Sequence, residues 1–332
     1  MSDTVHPTDI IEAQLARAIA AITAKTDIKN VFFAACGGSN ATLQPAAYTL
    51  QEQTGEVSAL ALNAREFTTR APKALGPHSL VITCSHSGNT PETVAATEFA
   101  RAAGATTIAL TNLEGSPLDE AAEYTIFYQH GEGKQYAYTG SPLLYRLTWA
   151  ILDHVNGTQI APAADAAVAA FDDIVAATTP GYVEQADKWA FAHRRDELIY
   201  TLSSGVNYWQ GYSFSICFLQ EMLWVHSQGI NSAEYFHGPF EITDFDVPFI
   251  ELLGLGEARA IDQRAHDFVI QHADSVVTLD AASWDLSAVD EALRPSYAQL
   301  VFGPVLRVFA DALSDHRGHP MSVRRYMWRM EY

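Results

Sequence analysis

The sequence "SHSGNT" at residues 85–90 gathers small hydrogen-bond donors in one turn. An apolar run typical of a strand, residues 80–83, precedes the turn, and a helical pattern that begins at Pro91 follows it. Thr90 is therefore in the N-cap position of a predicted helix. At a helix N-terminus, unpaired N–H groups and the positive end of the dipole favour a bound anion. The turn is a candidate phosphate site although it contains no lysine or arginine.

Side-chain hydroxyls and a glycine strengthen this interpretation. The hydroxyls belong to Ser85, Ser87 and Thr90, and Gly88 lets the backbone approach a ligand closely. A second small-residue turn, "CGGSN" at residues 36–40, follows another predicted strand, and open α/β sheets bind ligands at such strand ends. Serine and threonine are also common in ordinary turns, but two such turns in one domain favour an anion site. Neither turn matches a Walker loop or a G-x-G-x-x-G motif.

Glu221 is the second candidate for chemistry, within the helical pattern "FSICFLQEMLWVHS". Its helical neighbours are all apolar: Phe214, Cys217, Phe218, Trp224 and Val225. This spacing predicts that the carboxylate lies in a buried apolar stripe, where an unpaired charge is costly. A carboxyl group in that setting suits proton transfer. A structural glutamate that reaches a helix cap or a water molecule fits the sequence equally well.

His237 lies sixteen residues after Glu221, in "EYFHGPFEI". The Gly-Pro pair that follows restricts the backbone beside a side chain that titrates near neutral pH. The chain has 12 histidines, and a single histidine is ordinarily structural. The three cysteines, Cys36, Cys84 and Cys217, are expected to be core residues, because none has a nucleophile motif.

The elements that must position these residues alternate between strands and helices, which predicts α/β architecture with parallel sheets. The length of 332 residues favours two domains. The pattern restarts near residue 197, and an offset of 167 pairs Gly38 with Gly205 and Asn40 with Asn207. We therefore predict an N-terminal helix (1–27), a first α/β domain (28–156), a helical linker (157–196), a second α/β domain (197–323) and a C-terminal tail (324–332).

Composition limits the possible partners. The net charge is −19, from 20 Lys+Arg and 39 Asp+Glu, so nucleic acid and anionic membranes are not expected partners. Three widely spaced cysteines indicate neither a disulfide framework nor a zinc site. The N-terminus lacks the features of a signal peptide, and no apolar run reaches the ~18 residues of a membrane span. We expect a cytoplasmic protein.

Together these residues resemble the SIS (sugar isomerase) family, and above all its fructosamine-6-phosphate deglycases, including fructoselysine-6-phosphate and fructose-aspartate-6-phosphate deglycases. The motifs that carry the resemblance cover nearly the whole chain: "ACGGS" (35–39), "CSHSGNTPETV" (84–94), "EYFHGPFEI" (234–242), "DAAS" (280–283) and "RRYMWRMEY" (324–332). The pairing of Glu221 with "FHGP" also resembles the isomerase part of glucosamine-6-phosphate synthase.

The resemblance implies two SIS domains of flavodoxin-like type and a homodimer with shared active sites. It implies that the sugar phosphate is bound by Ser39, Ser85, Ser87 and Thr90 with the amides around Gly38 and His86. It also implies catalysis by Glu221, with His237 supplied across the dimer interface. The synthase opens the sugar ring with a lysine near its C-terminus, and this tail has no lysine, so that step must differ here or use His237.

The expected activity is therefore hydrolysis of a 6-phosphorylated Amadori product, a fructosamine, to glucose 6-phosphate and a free amine. No metal or organic cofactor is needed, because the carbonyl and the amine already activate C1. An aldose–ketose phosphate isomerase that uses the same two residues is the alternative enzyme. A non-catalytic sugar-phosphate sensor is the alternative of another class. The sequence does not indicate which amine the substrate carries.

Overall fold

The computed structural model describes residues 3 to 331, and the chain divides into two units, Met1–Asp172 and Asp173–Tyr332. Unit 1 contains a five-stranded parallel sheet in the order β2-β1-β3-β4-β5. Its strands are β1 (Asn30–Ala35), β2 (Ser58–Asn63), β3 (Ser79–Cys84), β4 (Thr106–Thr111) and β5 (Tyr124–Phe127). Its helices are α1 (Thr8–Ala24), α2 (Gly37–Gln53), α3 (Ala64–Arg70), α4 (Pro91–Ala102), α5 (Pro117–Ala121), α6 (Gly140–Asn156) and α7 (Ala161–Ala169).

The sheet of unit 1 is the centre of its core. All six residues of β3 are buried, as are five of the six in β1, which is expected for parallel strands covered on both faces. Phe32, Val81 and Phe67 pack in one apolar cluster between the sheet and helices α3 and α4. In the register of β1 and β3, Ala35 lies beside Cys84, so the turns that follow these two strands leave the sheet side by side.

Unit 2 contains a four-stranded parallel sheet in the order β7-β6-β8-β9. Helix α8 (Phe171–Thr178) spans the boundary between the units. The strands of unit 2 are β6 (Leu198–Ser203), β7 (His226–Asn231), β8 (Phe249–Leu253) and β9 (Val276–Asp280). The helices are α9 (Val183–His193), α10 (Tyr208–Ser213), α11 (Arg259–His272) and α12 (Arg294–Arg317). In each unit the first strand lies between the second and the third, which confirms the predicted α/β fold with two parallel sheets.

Several elements were not predicted from the sequence, among them the five-residue helix α5. Strand β7 has the polar sequence "HSQGIN" and lies at the edge of its sheet, so it lacks the apolar run of a central strand. Helix α3 has only seven residues and no clear period. The predicted α-helix around Glu221 is a π-helix (Phe214–Met222), which continues directly from α10. Within residues 3–331, none of the helices is long and apolar enough to span a bilayer.

Candidate active site

The turn at residues 85–90 is held in place by its own hydroxyls and by the neighbouring strand. Ser85 is buried, and its N–H donates to the Leu110 carbonyl at 3.1 Å. The Ser85 and Thr90 hydroxyls are 2.9 Å apart, and Ser87 Oγ accepts from the Asn89 N–H at 3.2 Å. Thr90 is the N-cap residue of α4, as predicted, but its hydroxyl bonds Ser85 and makes no capping hydrogen bond. The hydroxyls of the turn therefore lie together at one helix end.

Gly88 is required by this conformation. Its φ is +63°, in the left-handed region, and an added Cβ would be only 2.0 Å from Ser116 Oγ. Its carbonyl also accepts from the Leu118 N–H at 3.0 Å, which fixes the turn against α5. The turn is thus a rigid structure that only glycine permits at this position.

The backbone of the turn presents unused donors. In the described chain, no hydrogen bond uses the N–H groups of His86 and Ser87, although the neighbouring residues are bonded. These amides lie just before the N-terminus of α4, a twelve-residue helix with Pro91 at its first position. Free N–H groups, hydroxyls and the positive end of a helix dipole together can bind a phosphate without a formal positive charge.

The turn after β1 lies beside this site. Gly37 has a φ of +54°, and α2 starts at that residue, so Gly38 and Ser39 are in its first turn. The Ser39 hydroxyl bonds the Cys84 thiol at the end of β3. Burial raises the pKa of Cys84 to about 12, so this thiol stays protonated and is no nucleophile. The six predicted phosphate-binding residues thus all lie on two adjacent turns of unit 1.

The α-helical spacing predicted that Glu221 lies unpaired in a buried apolar stripe, and this prediction is wrong. The Glu221 side chain is 26% exposed and pairs with Arg324, whose Nε and Nη2 donate to the same oxygen, Oε1, at 2.9 and 2.8 Å. The prediction failed because the i→i+5 hydrogen bonds of a π-helix widen each turn and change which residues are neighbours. π-helices are rare and frequently occur at functional sites.

A cavity of about 670 Å³ lies beside Glu221 in unit 2. Its lining includes Trp224 and the tail residues Arg324 and Arg325. Trp224 has a φ of +56°, an unusual conformation for a bulky residue, and Arg325 stacks on its ring at 4.1 Å. Strained backbone of this kind persists where the surrounding structure imposes it, often at functional sites. Glu221 and the strained backbone of Trp224 thus both line this cavity.

His237 lies in a short 3-10 turn, Tyr235–His237, and is exposed. Gly238 follows with a φ of +137°, a conformation that a residue with a side chain rarely adopts. No hydrogen bond or ion pair joins His237 to Glu221 in the residues that the structure describes. The two predicted catalytic residues are therefore not bonded to each other within one chain.

Sequence reasoning missed Arg324, which is 8% exposed and lies 103 residues from its partner Glu221. Its guanidinium also donates from Nη1 to the carbonyls of Met321 and Val323, so it links the tail to the π-helix. The only available signal was an arginine-rich, aromatic tail, "RRYMWRMEY", which shows no partner by itself.

The chain is similar to known proteins in both sequence and fold. The SIS domain model matches residues 26–152, and a similar chain, the fructosamine deglycase FrlB of Bacillus subtilis, is 44% identical over 92% of this chain and 93% of its own length. The chain belongs to the SIS family.

Two further proteins are similar to this chain over almost its full length. The fructoselysine 6-phosphate deglycase of Escherichia coli is 30% identical over 95% of this chain and 90% of its own. A solved structure from Bacillus subtilis, described as a phosphosugar isomerase, has a TM-score of 0.93 and 41% identity, and the match covers 97% of this chain and 100% of the other.

Proposed function

We propose that this protein is a fructosamine-6-phosphate deglycase, which hydrolyses a phosphorylated Amadori product to glucose 6-phosphate and a free amine or amino acid. The observation that carries the proposal is the near full-length similarity to the fructosamine deglycase FrlB, at 44% identity. The donor-rich turn in unit 1 and the cavity beside Glu221 in unit 2 also support the proposal. The isomerase alternative is not better supported.

The phosphate is proposed to bind at the two adjacent turns of unit 1. The ligands would be the hydroxyls of Ser39, Ser85, Ser87 and Thr90 with the backbone around Gly38 and His86. The unused N–H groups of His86 and Ser87 and the dipole of α4 support this assignment. The predicted domain limits, 28–156 and 197–323, remain proposals, as does a cytoplasmic location.

The reaction moves a proton between two neighbouring carbons. A base removes a C1 proton next to the C2 carbonyl of the open-chain fructosamine, and O2 takes up a proton to give the enaminol. Protonation at C2 then yields an aldimine between C1 and nitrogen. Water adds to C1, and the C–N bond breaks to release the amine and the aldehyde of glucose 6-phosphate.

Glu221 is proposed to carry the proton between C1 and C2. Arg324 occupies only Oε1, and in residues 3–331 no hydrogen bond is made to Oε2. Oε2 is therefore the oxygen available for proton transfer, while the guanidinium keeps the carboxylate oriented.

His237 is proposed to assist ring opening or proton transfers at O2 and nitrogen, from the second subunit of a homodimer. Its exposure and its lack of a bond to Glu221 within the described chain support a role across an interface. An exposed imidazole beside a rigid Gly-Pro turn is suited to complete a site on another chain.

Product analysis tests the proposal. Purified protein is incubated with a panel of fructosamine 6-phosphates and with fructose 6-phosphate, and glucose 6-phosphate and free amine are quantified. A deglycase releases both products in equal amounts from the fructosamines. Turnover of fructose 6-phosphate alone would establish the isomerase instead.

The Glu221→Gln variant is the matched control, because it keeps the shape of the side chain and removes the proton carrier. We expect it to bind glucose 6-phosphate normally and to lose turnover. Near-normal turnover by this variant would contradict the assignment of Glu221.

A further inference from the structure

Three side chains that can bind a metal ion meet at one point in unit 1. Asp3 Oδ1 is 3.3 Å from His86 Nε2 and 3.1 Å from His130 Nδ1. The two imidazole rings are in edge contact, with centroids 4.6 Å apart, and the three ligand atoms all lie within 4.8 Å of one another. One nitrogen from each of the two histidines thus contacts the same oxygen of Asp3.

The segment that carries Asp3 is held by specific hydrogen bonds. The Thr4 N–H donates to Asn112 Oδ1 at 3.0 Å, and Asn112 Nδ2 donates to the Thr4 carbonyl at 2.8 Å. The same carbonyl accepts from the His130 N–H at 3.1 Å. The backbone therefore places Asp3 against His130 and fixes two of the three ligands relative to each other.

The third ligand, His86, is oriented from behind by Tyr128. The Tyr128 hydroxyl is 3.1 Å from His86 Nδ1, which turns Nε2 toward Asp3. Ligand histidines commonly make such a second hydrogen bond through the nitrogen that faces away from the metal.

The spacing of the atoms fits a small divalent ion. With Zn–N and Zn–O bonds of about 2.0–2.2 Å, adjacent ligand atoms in a tetrahedral site are about 3.3–3.6 Å apart. The two distances to Asp3 Oδ1, 3.1 and 3.3 Å, are close to this spacing, and the two histidine nitrogens lie within 4.8 Å of each other. We propose that Asp3, His86 and His130 form a binding site for one divalent transition-metal ion, of which zinc is the probe of choice.

This ion would make the electrostatic potential at the neighbouring turn, residues 85–90, more positive. The turn has no lysine or arginine, and His86 lies between the hydroxyls of Ser85 and Ser87. A cation on the His86 ring would add positive charge next to the turn. Its charge would act on a bound phosphate there, because the screening length at physiological salt is about 8 Å. The side chains of the three ligands are between 38% and 49% exposed, so the ion keeps positions open to water or to an anion.

Calorimetric titration with zinc chloride tests the site. The protein is used at full length, stripped with chelator and with any affinity tag removed. We expect one zinc ion per chain, with affinity reduced at least tenfold in His130→Ala and in Asp3→Asn. His78→Ala is the matched control, because His78 forms an exposed pair with Asp27 and, among residues 3–331, belongs to no group of three potential ligands. Absence of zinc binding, or equal binding by His130→Ala, would overturn the proposal.

A second titration, with glucose 6-phosphate, measures coupling to the turn and rests on the proposed function. Zinc should raise the affinity of the native chain severalfold and leave that of His130→Ala unchanged. No change in the native chain would refute the coupling. If glucose 6-phosphate does not bind under either condition, the proposed function is contradicted, whereas the zinc titration decides the metal site independently.

Discussion

Arg324 holds the proposed proton carrier by one oxygen only. Nε and Nη2 both donate to Glu221 Oε1, and Nη1 donates to tail carbonyls. The guanidinium is 8% exposed, so water competes weakly for these hydrogen bonds. The arrangement fixes the carboxylate without using Oε2, and it makes Arg324 a positioning residue for the reaction.

Arg324→Ala should therefore lower kcat and change KM little. Hydrogen bonds to charged groups contribute about 1.5–3 kcal/mol, which corresponds to roughly a ten- to hundredfold loss in rate. Added guanidinium ion should restore part of the activity of this variant, a response that a purely structural role would not give. The control is Arg329→Ala, since Arg329 is an exposed arginine of the same tail. Equal losses in both variants, without rescue, would argue against positioning.

Asp262 is a second residue whose environment has a measurable consequence. Its carboxyl group is buried in α11 and accepts from the Ser232 hydroxyl at 2.7 Å. Burial raises its pKa from 3.8 to about 6, and the nearby Glu251 adds to the rise. The folded chain thus holds this proton more tightly than the unfolded chain does.

The contribution of Asp262 to stability is fully present below pH 3.8 and is lost as the pH rises through about 6. Two pKa units correspond to about 3 kcal/mol. Asp262→Asn should remove this decline, so that the variant gains stability relative to the native chain between pH 4 and 7. Urea unfolding at a series of pH values measures the gain, with Asp267→Asn, an exposed residue of the same helix, as control. A difference that is independent of pH would contradict the prediction.

At the scale of elements, the β3–α4 turn should determine recognition of phosphate. Ser85→Ala with Ser87→Ala removes two hydroxyls and leaves Gly88 and the start of α4 unchanged. At roughly 1.5–3 kcal/mol for each charge-assisted hydrogen bond, the affinity for glucose 6-phosphate should fall at least tenfold. Unphosphorylated fructosamines should be poor substrates of the native enzyme. Calorimetry and steady-state assays measure both effects.

A turn of unit 2 supplies the control. It follows β6, whose place in its sheet is that of β1 in unit 1, and Ser204 there donates to the Ala258 carbonyl at 3.3 Å. The Ser232 hydroxyl likewise donates to the buried Asp262, so both hydroxyls already donate to acceptors within unit 2. Ser204→Ala should leave the affinity for glucose 6-phosphate unchanged. A loss equal to that of the double variant would mean that the turn of unit 1 is not the phosphate site.

At the scale of the whole molecule, the sequence predicted what depends on local pattern. Apolar runs located most strands, and the "SHSGNT" sequence correctly located a turn between a strand and a helix whose N-cap residue is Thr90. Contacts between distant segments were not predictable. The Glu221–Arg324 pair joins residues 103 apart, and Asp3 meets His86 across 83 residues. The π-helix was missed because its apolar sequence has the composition of an ordinary buried helix, whereas its geometry depends on tertiary packing.

The proposed homodimer with shared active sites can be tested by complementation between two inactive variants. If Glu221 of one chain works with the partner's His237, two inactive variants should complement each other. A Glu221→Gln chain still supplies an intact His237, and a His237→Ala chain still supplies an intact Glu221. A mixed dimer then has one site with both defects and one with neither, so it should recover about half of the native activity per dimer, given closed two-fold symmetry.

The two variants are co-expressed with different tags, and the doubly tagged dimer is purified and assayed for release of glucose 6-phosphate. A doubly tagged dimer of two Glu221→Gln chains controls for effects of the tags and should stay inactive. If the mixed dimer is no more active than its parents, the prediction is wrong. Glu221 and His237 would then act within the same chain or would not share a site. Recovery of activity requires the shared site, because neither parent chain can supply both groups to the same substrate.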